Sequence, residues 1–168
     1  MVYAGVTANN AVQIFKDFSA ALPTGHLYRP DGIAESAFAD PAKGGIPADV
    51  QAKVKVVIAT LPADQYPPQG QTIFADYQRE FGESTPDPYA IYGFEAMSLT
   101  LDAIKRAAAK GDVTRDAVVE QLFATKDRQS VLGSYSIDAN GDTTLTDYGA
   151  YTIKGGKLEF AETIKAAA

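Results

Sequence analysis

The sequence contains no cysteine and a single histidine, His26. Without cysteine, the chain can form no disulfide, no thiol nucleophile and no cysteine-based zinc site. His26 lies between a glycine and a strand pattern, with no carboxylate close to it in the sequence. A Ser-His-Asp triad and a histidine-rich metal site are therefore not expected, and a structural role is the favoured interpretation of His26.

Basic clusters and long apolar runs are also absent. The formal net charge is −6, and without a run of lysine and arginine a nucleic acid is not expected as a partner. The longest mostly apolar run, residues 54–61, contains Lys55 and has the length of a strand, so no membrane span is predicted. The N-terminus has no signal-like segment, and a strand pattern begins at residue 2. This abrupt start indicates an excised piece or a fragment.

Motifs for metal, phosphate or catalysis are incomplete. The stretch DANGD, residues 138–142, has the acidic spacing of a calcium loop, but Thr143 and Gly149 occupy the positions where such a loop needs glycine and glutamate. Its Asn-Gly pair indicates a hairpin turn instead. The paired glycines at 44–45 and 155–156 lack the frame of a phosphate loop, and no two carboxylates have a recognisable catalytic spacing. We therefore predict no enzyme, no metal and no cofactor.

The first part of the chain alternates strand and helix patterns. Strand patterns at 2–6, 26–28 and 55–61 are separated by helical patterns at 11–22 and 48–54, with a loop-rich segment at 33–47. This alternation favours a parallel sheet covered by helices. Ligands of such sheets bind at the carboxyl ends of the strands, where the loops VTANN and RPDG lie.

The second part begins with the proline-rich linker PADQYPPQGQ, residues 62–71. Helical patterns follow at 71–81, 89–110 and 114–124, with Thr114 as a predicted N-cap, and strand patterns with turns follow from 135 to 160. The helix at 89–110 has a narrow polar stripe and a wide apolar surface, which another element normally covers. We expect that a second copy or a missing part of the protein covers it, and hence a homo-oligomer or a missing N-terminal half. The polar stripe consists of Glu95, Ser98, Asp102, Lys105 and Arg106.

Three aromatic residues mark the start of this long helix: Tyr89, Tyr92 and Phe94. Core packing is the simplest explanation for the group. Tyr89, however, lies in the first turn, where free backbone N–H groups attract anions. A ring in that position suits a small molecule that carries a carboxylate.

Four stretches together resemble one known family. They are VYAGVTANNAVQIFKDF, LYRPDGIAESAF, PDPYAIYGFEAMSLTLDAIKRA and VLGSYSIDANGDTTLTDYGAYTIKGGKLEF. In this order and spacing they resemble the C-terminal half of the branched-chain amino acid type periplasmic solute-binding proteins of ABC importers. Members of that family have two doubly wound lobes that close around a ligand, and they are about twice as long.

The resemblance implies an α/β fold with a doubly wound, mainly parallel sheet, truncated, with added helices and a C-terminal β-hairpin. It implies that residues 1–61 form part of lobe two and that residues 62–70 cross between the lobes. Residues 71–133 would be helices that pack on lobe one, and residues 134–168 would form a crossing strand and the closing hairpin. By the same resemblance, the protein works in the periplasm or anchored at the cell surface, with the membrane subunits of an importer as partners.

The resemblance also implies ligand contacts. Val6 and Thr7 follow the first strand, and Asp31 occupies the place where amino-acid binders often carry an acidic residue for the ligand ammonium group. Tyr89 would contact the ligand, whereas Tyr92 and Phe94 would pack. Amino-acid binders often have an aromatic ring where Val6 and Thr7 stand here, so aromatic and aliphatic carboxylates are candidate ligands as well as amino acids.

The leading hypothesis is a non-enzymatic solute-binding component of an ABC importer, present here as a C-terminal fragment with an incomplete cleft. The alternative is a ligand-free structural or engineered half-protein that self-associates through its exposed helix face. A flavodoxin-like enzyme or regulatory domain also fits the α/β pattern, but it would need a phosphate loop or an acidic pocket that the sequence does not show.

Overall fold

Residues 1–5, 8–33, 36–82 and 87–166 are described by the computed structural model. The chain folds into two units. Unit 1 joins Met1–Leu61 to Asp147–Ala168, and unit 2 is Pro62–Thr146. Val6 and Thr7, two of the predicted ligand residues, lie outside the described residues. The four segments predicted from the resemblance stay a prediction.

Unit 1 is built on a five-stranded mixed sheet in the order β1-β2-β3-β6-β7. The strands are β1 (Val2–Tyr3), β2 (Leu27–Arg29), β3 (Val54–Ile58), β6 (Asp147–Lys154) and β7 (Lys157–Lys165). The first three pair in parallel, and β6 and β7 add to β3 as an antiparallel hairpin. The α/β class and the mainly parallel first sheet are confirmed.

The core of unit 1 follows from the alternation of its strands. In β3, Val54, Val56 and Ile58 are buried and the residues between them are only partly buried, as expected for a strand with one face in the core. Helix α1 (Ala8–Ala21) covers this face through Ala11 and Phe15, which have no exposed surface. Burial of a ring such as Phe15 contributes about 1.5–3 kcal/mol of hydrophobic stabilisation.

The segment predicted as a loop, residues 33–47, contains the short helix α2 (Ser36–Ala39) and a 3-10 turn at Pro41–Lys43. Buried Gln51, in helix α3 (Ala48–Gln51), holds this segment in place. Its side-chain amide donates to the carbonyl oxygens of Ala39 at 3.0 Å and Ile46 at 3.1 Å. The sequence does not predict this regular structure, because the structure depends on Gln51, a side chain that lies after the segment.

The hairpin of β6 and β7 is longer than the sequence predicts. Its two-residue turn consists of Gly155 and Gly156, with φ angles of 55° and 78°. Positive φ at both central positions is the geometry that matches the twist of a hairpin, and glycine adopts it without strain. The KGGK motif is therefore a turn, as predicted.

Unit 2 consists of three helices and a small hairpin. The helices are α4 (Pro68–Phe81), α5 (Ala90–Ala109) and α6 (Arg115–Phe123), and the antiparallel hairpin pairs β4 (Arg128–Ser130) with β5 (Gly133–Tyr135). The predicted cap of α6 is confirmed, because the Thr114 hydroxyl accepts a hydrogen bond from the N–H of Ala117. Within the described part of the chain, no helix has the length and apolarity to cross a bilayer.

Helix α5 turns most of its polar stripe inward, whereas Lys105 is exposed. Arg128 donates through Nε to Glu95 at 2.6 Å and through Nη2 to Ser98 at 2.9 Å, and its Nη1 lies 3.2 Å from Asp102. The hydroxyl of Tyr135 donates to the same Glu95 oxygen at 2.8 Å. Burial and the hydrogen bond to Glu95 raise the pKa of Tyr135 well above its usual range, so this hydroxyl remains a donor. Glu95 is only 4% exposed, which places a carboxylate inside unit 2.

The opposite side of α5 is apolar and exposed. We call it the exposed stripe; its members follow one another at intervals of three and four residues, so they share one helix face. Leu101, for example, is 58% exposed, whereas Ile91 on the inner side has no exposed surface. The stripe consists of Phe94, Met97, Leu101 and Ile104.

We predict unequal costs for truncations on the two sides of α5. Ile91→Ala should lower the free energy of unfolding by about 2–5 kcal/mol, because it opens a cavity in the core. Leu101→Ala should cost less than about 0.5 kcal/mol, since the side chain is already in water. Urea unfolding followed by circular dichroism measures both. A cost for Leu101→Ala that rises with protein concentration would show instead that a second copy covers the exposed stripe, as an oligomer requires.

We also predict that Glu95→Gln destabilises unit 2 by roughly 3 kcal/mol, because it leaves the charge of Arg128 largely buried without its partner. The double change Glu95→Gln with Arg128→Met should recover a large part of this loss. The exposed pair Asp147–Lys165, at 2.9 Å, is the control: Asp147→Asn should cost less than about 1 kcal/mol. Equal losses at Glu95 and Asp147 in urea unfolding would contradict the prediction.

Candidate ligand-binding site

An open groove in unit 2 contains Tyr89. It lies where the end of α4 meets the start of α5, has a volume of about 820 Å³, and adjoins the N-terminal end of the exposed stripe through Phe94. Its size falls in the range of small-molecule sites. The lining residues are Ile73, Asp76, Tyr77, Arg79, Glu80, Phe81, Asp87, Tyr89, Ala90, Gly93 and Phe94.

The groove combines aromatic rings with carboxylates. The rings of Tyr77 and Phe81 pack with their centroids 4.6 Å apart, and Tyr89 packs on Tyr92 at 6.1 Å. Three carboxylates and one guanidinium line the groove, and that guanidinium, on Arg79, is paired with Asp76 at 2.9 Å. The chemistry of the groove therefore suits a ligand that has an apolar body and a positively charged group.

The sequence predicts free backbone N–H groups at Tyr89 that could receive an anion. In the structure, two N–H groups at the start of α5 already have partners. The N–H of Tyr89 donates to the carboxylate of Asp87 at 2.7 Å, and the N–H of Ala90 donates to the Asp87 carbonyl at 2.9 Å. Asp87 thus already supplies the negative charge that the helix N-terminus favours. A ligand carboxylate at this point would be repelled, so the ring of Tyr89 is suited to apolar contact.

Phe94 is also exposed, which the sequence analysis does not expect. It was predicted to pack, but the side chain is 48% exposed and lines the groove together with Tyr89. The helical spacing of apolar residues shows which residues share a face, but it does not show whether another element covers that face.

Asp31 lies in unit 1, directly after the carboxyl end of β2. It begins the 3-10 turn Asp31–Ile33, and its side chain is exposed. This is the edge of a parallel sheet at which ligands usually bind. The predicted RPDG turn is therefore partly strand, because Arg29 is the last residue of β2. The predicted roles of Asp31 and Tyr89 in ligand binding stay predictions.

Sequence reasoning missed two buried polar groups at the same edge. Arg29, placed in a turn by the sequence analysis, has no exposed surface, and its guanidinium lies 4.3 Å from the ring centre of Phe38. Thr60, shortly after the end of β3, is fully buried too. Within the described ranges, the three guanidinium nitrogens of Arg29 and the hydroxyl of Thr60 are the buried side-chain polar atoms that have no hydrogen-bond partner.

The charge of Arg29 is costly in this setting. Burial lowers the pKa of Arg29 to about 10, so the guanidinium still carries its charge at neutral pH. The ring of Phe38 supplies a cation–π contact, but it accepts none of the five N–H bonds. One sequence signal could have revealed this: Arg29 follows Leu27 at the two-residue interval that places both side chains on the same face of a strand.

In the DANGD stretch, the first carboxylate accepts hydrogen bonds from backbone N–H groups of the same turn. Asp138 accepts hydrogen bonds from the N–H groups of Asp142 at 2.9 Å and Asn140 at 2.8 Å. These bonds, from Asp142 first and Asn140 second, lower the pKa of the Asp138 carboxyl. Across the described ranges, no group of three or more histidine, cysteine, aspartate or glutamate side chains could hold a metal ion.

A protein-family model described as "Periplasmic binding protein" matches residues 1–157 of this chain. The chain belongs to the periplasmic binding protein family. No curated protein matches it in sequence.

Solved structures of periplasmic binding proteins share the fold. A leucine-binding protein of Thermotoga maritima superposes with a TM-score of 0.75 at 20% identity, over 97% of this chain and 44% of its own. A branched-chain amino acid binding protein of Streptococcus pneumoniae, in complex with isoleucine, gives 0.72 at 20% identity over 98% and 44%. A solute-binding protein of R. palustris in complex with benzoate gives 0.64 at 22% identity over 99% and 43%.

The chain thus spans less than half the length of these periplasmic binding proteins. At such identities the likeness establishes the fold of the matched part. The resemblance drawn from the four sequence stretches is confirmed at the level of the family.

We predict that Asp138 titrates below the ordinary carboxyl pKa of about 3.9. A lowered pKa in the folded state means that the turn is stabilised above that pH, and that the stabilisation is lost as pH falls through the pKa of the folded chain. The amide resonances of Asn140 and Asp142 should follow this titration by NMR. A midpoint at or above the ordinary value would contradict the hydrogen bonds.

Proposed function

We propose that this chain is part of the solute-binding protein of an ABC importer and that it binds an amino acid or a related small carboxylate without catalysing a reaction. The family match over residues 1–157 is the observation that carries this proposal. A neighbour named as a leucine-binding protein, and neighbours solved in complex with isoleucine or benzoate, support the ligand class. Work outside the cytoplasmic membrane, with the importer's membrane subunits as partners, is part of the same proposal.

The ligand chemistry is argued from the two described site residues. We propose that the ring of Tyr89 contacts the apolar part of the ligand, because the groove around it is aromatic and its helix N-terminus is already neutralised by Asp87. We propose that the exposed carboxylate of Asp31 pairs with the ligand ammonium group. The role proposed for Asp31 favours an amino acid over a simple carboxylate, which has no positive group to pair with Asp31. Val6 and Thr7 complete the proposed set of contacts.

The alternative of a ligand-free half-protein has less support. The family of the chain is one of binding proteins, and the aromatic groove is a feature that a scaffold without a ligand does not need.

Binding should be measured first as the thermal unfolding of the dialysed chain, against aliphatic and aromatic amino acids, their amine-free acids and benzoate. A ligand that binds only the folded state raises the unfolding temperature. We expect the largest rise from an apolar amino acid and a smaller one from its amine-free acid. If no compound in the panel raises the unfolding temperature, the proposed binding activity of this chain is wrong.

Two variants then assign the contacts by calorimetry. Tyr89→Ala should weaken binding by roughly tenfold or more, since it removes an apolar contact worth about 1.5–3 kcal/mol. Asp31→Asn should weaken binding of the amino acid by about tenfold and leave binding of the amine-free acid unchanged. Tyr148→Ala, at 38% exposure against 39% for Tyr89, and Asp17→Asn are the matched controls. Equal effects in the variants and their controls would refute the assigned contacts.

A further inference from the structure

Arg29 is the strongest anomaly in the described chain. Buried polar groups in folded proteins are almost always hydrogen-bonded, and a buried charge without a counter-charge is rarer still. Here a fully buried guanidinium at the end of β2 has no hydrogen-bond partner among the described residues, and its contact within reach is the face of Phe38. A planar fork of five donors fits an oxyanion, above all a carboxylate, through two parallel hydrogen bonds.

The position of Arg29 supports a binding role. It stands at the carboxyl end of β2, in the middle of the parallel part of the sheet, between β1 and β3. Thr60, which follows the carboxyl end of neighbouring β3, carries the other buried polar side chain that lacks a partner in the described ranges. Open α/β sheets bind their ligands at this edge. Unsatisfied polar groups at the ends of two adjacent strands are therefore found where a ligand is expected.

From this placement we propose that the guanidinium of Arg29 is an anion-binding site that takes the carboxylate of a small solute. The site is distinct from the groove at Tyr89, which belongs to unit 2. It also differs in kind from Asp31, because Asp31 attracts cations. The inference deepens the proposed function and rests on its ligand class, because it names a group that takes the carboxylate of the solute.

Access to Arg29 affects the expected affinity. Since the side chain has no exposed surface, an anion reaches it only after a local opening of the fold. The apparent affinity is then reduced by the fraction of open molecules. Millimolar concentrations of acetate are therefore the appropriate probe.

The test compares the 168-residue chain with Arg29→Met in sodium acetate, sodium sulfate and sodium chloride at one ionic strength. Acetate should raise the unfolding temperature of the parent chain by about 3 °C over chloride and leave Arg29→Met unchanged. Sulfate, an inorganic oxyanion, raises the unfolding temperature of both proteins through its general salt effect. After this common effect is subtracted, sulfate should raise the unfolding temperature of the parent chain less than acetate does. Arg115→Met, which removes an exposed arginine at the start of α6, should respond as the parent does.

The behaviour of the variant without acetate is the second readout. Because methionine has a similar volume and no charge, Arg29→Met should unfold at the same temperature as the parent in chloride or at a higher one. A fall of several degrees, with an equal acetate response in both proteins, would show that a carboxylate of the chain itself neutralises Arg29, and would overturn the proposal. An equal response to chloride and acetate would overturn the carboxylate class.

NMR keeps the test independent of how the variant folds. The side-chain Nε–H resonance of Arg29 should shift when the parent chain is titrated with acetate and not with chloride. Arg29→Lys keeps the charge but loses the planar fork, so acetate should raise its unfolding temperature much less than that of the parent. A resonance that acetate does not move would refute the site. If acetate acts through Arg29 while no amino acid in the panel exceeds its amine-free acid, the amino-acid contacts proposed above are wrong and this inference stands. If an amino acid raises the unfolding temperature of the parent chain and of Arg29→Met equally, this inference is wrong and the proposed function stands.

Discussion

The ion pair between Arg128 and Glu95 is the interaction on which unit 2 depends. Together with the hydrogen bonds of Tyr135 and Ser98, it holds the polar side of α5 against the β4–β5 hairpin. Arg106 extends the contact, because it pairs with Asp102 and donates to the carbonyl of Gln121 in α6. A helix has only one inward side, so the choice of the polar side leaves the exposed stripe in water.

The orientation of α5 also creates the groove. The first residues of the exposed stripe continue into the start of α5, where Tyr89 and Phe94 meet the aromatic end of α4. The exposed aromatic surface and the buried carboxylate of Glu95 thus both result from the inward orientation of the polar side of α5. An aromatic rim with acidic neighbours recognises apolar solutes that carry a positive charge. The chain shares its fold with periplasmic binding proteins and spans less than half of their length.

Unit 1 shows a different balance. Its core of aliphatic and aromatic side chains follows the ordinary rule of a sheet covered by helices, and its buried Gln51 is fully engaged with backbone groups. Arg29 and Thr60 are exceptions to this rule, and both lie at the carboxyl edge of the parallel strands. Departures from the rules of packing concentrate at functional sites, because residues there are selected for ligand binding as well as for stability. The candidate sites of the two units therefore differ: unit 1 has a buried cation, and unit 2 has an aromatic groove with carboxylates.

The sequence by itself determined the local elements. The spacing of apolar residues predicted α1, α4, α5 and α6 and the three parallel strands, and Thr114 and the two glycines at 155–156 predicted a cap and a turn. These features depend on neighbours within a few residues, which the sequence displays directly. Likewise, the ordered motifs sufficed to identify the family.

Only the tertiary structure decided which side of α5 is inward, whether Phe94 is covered, and that Arg29 is buried with no hydrogen-bond partner among the described residues. Periodicity separates a polar face from an apolar one, but it does not reveal which of them another element will cover. Arg128 is 33 residues from Glu95 in the sequence, and Gln51 reaches an atom 12 residues away. Interactions across such distances form only when the chain has folded, and they decide whether a charge such as that of Glu95 is buried with a partner.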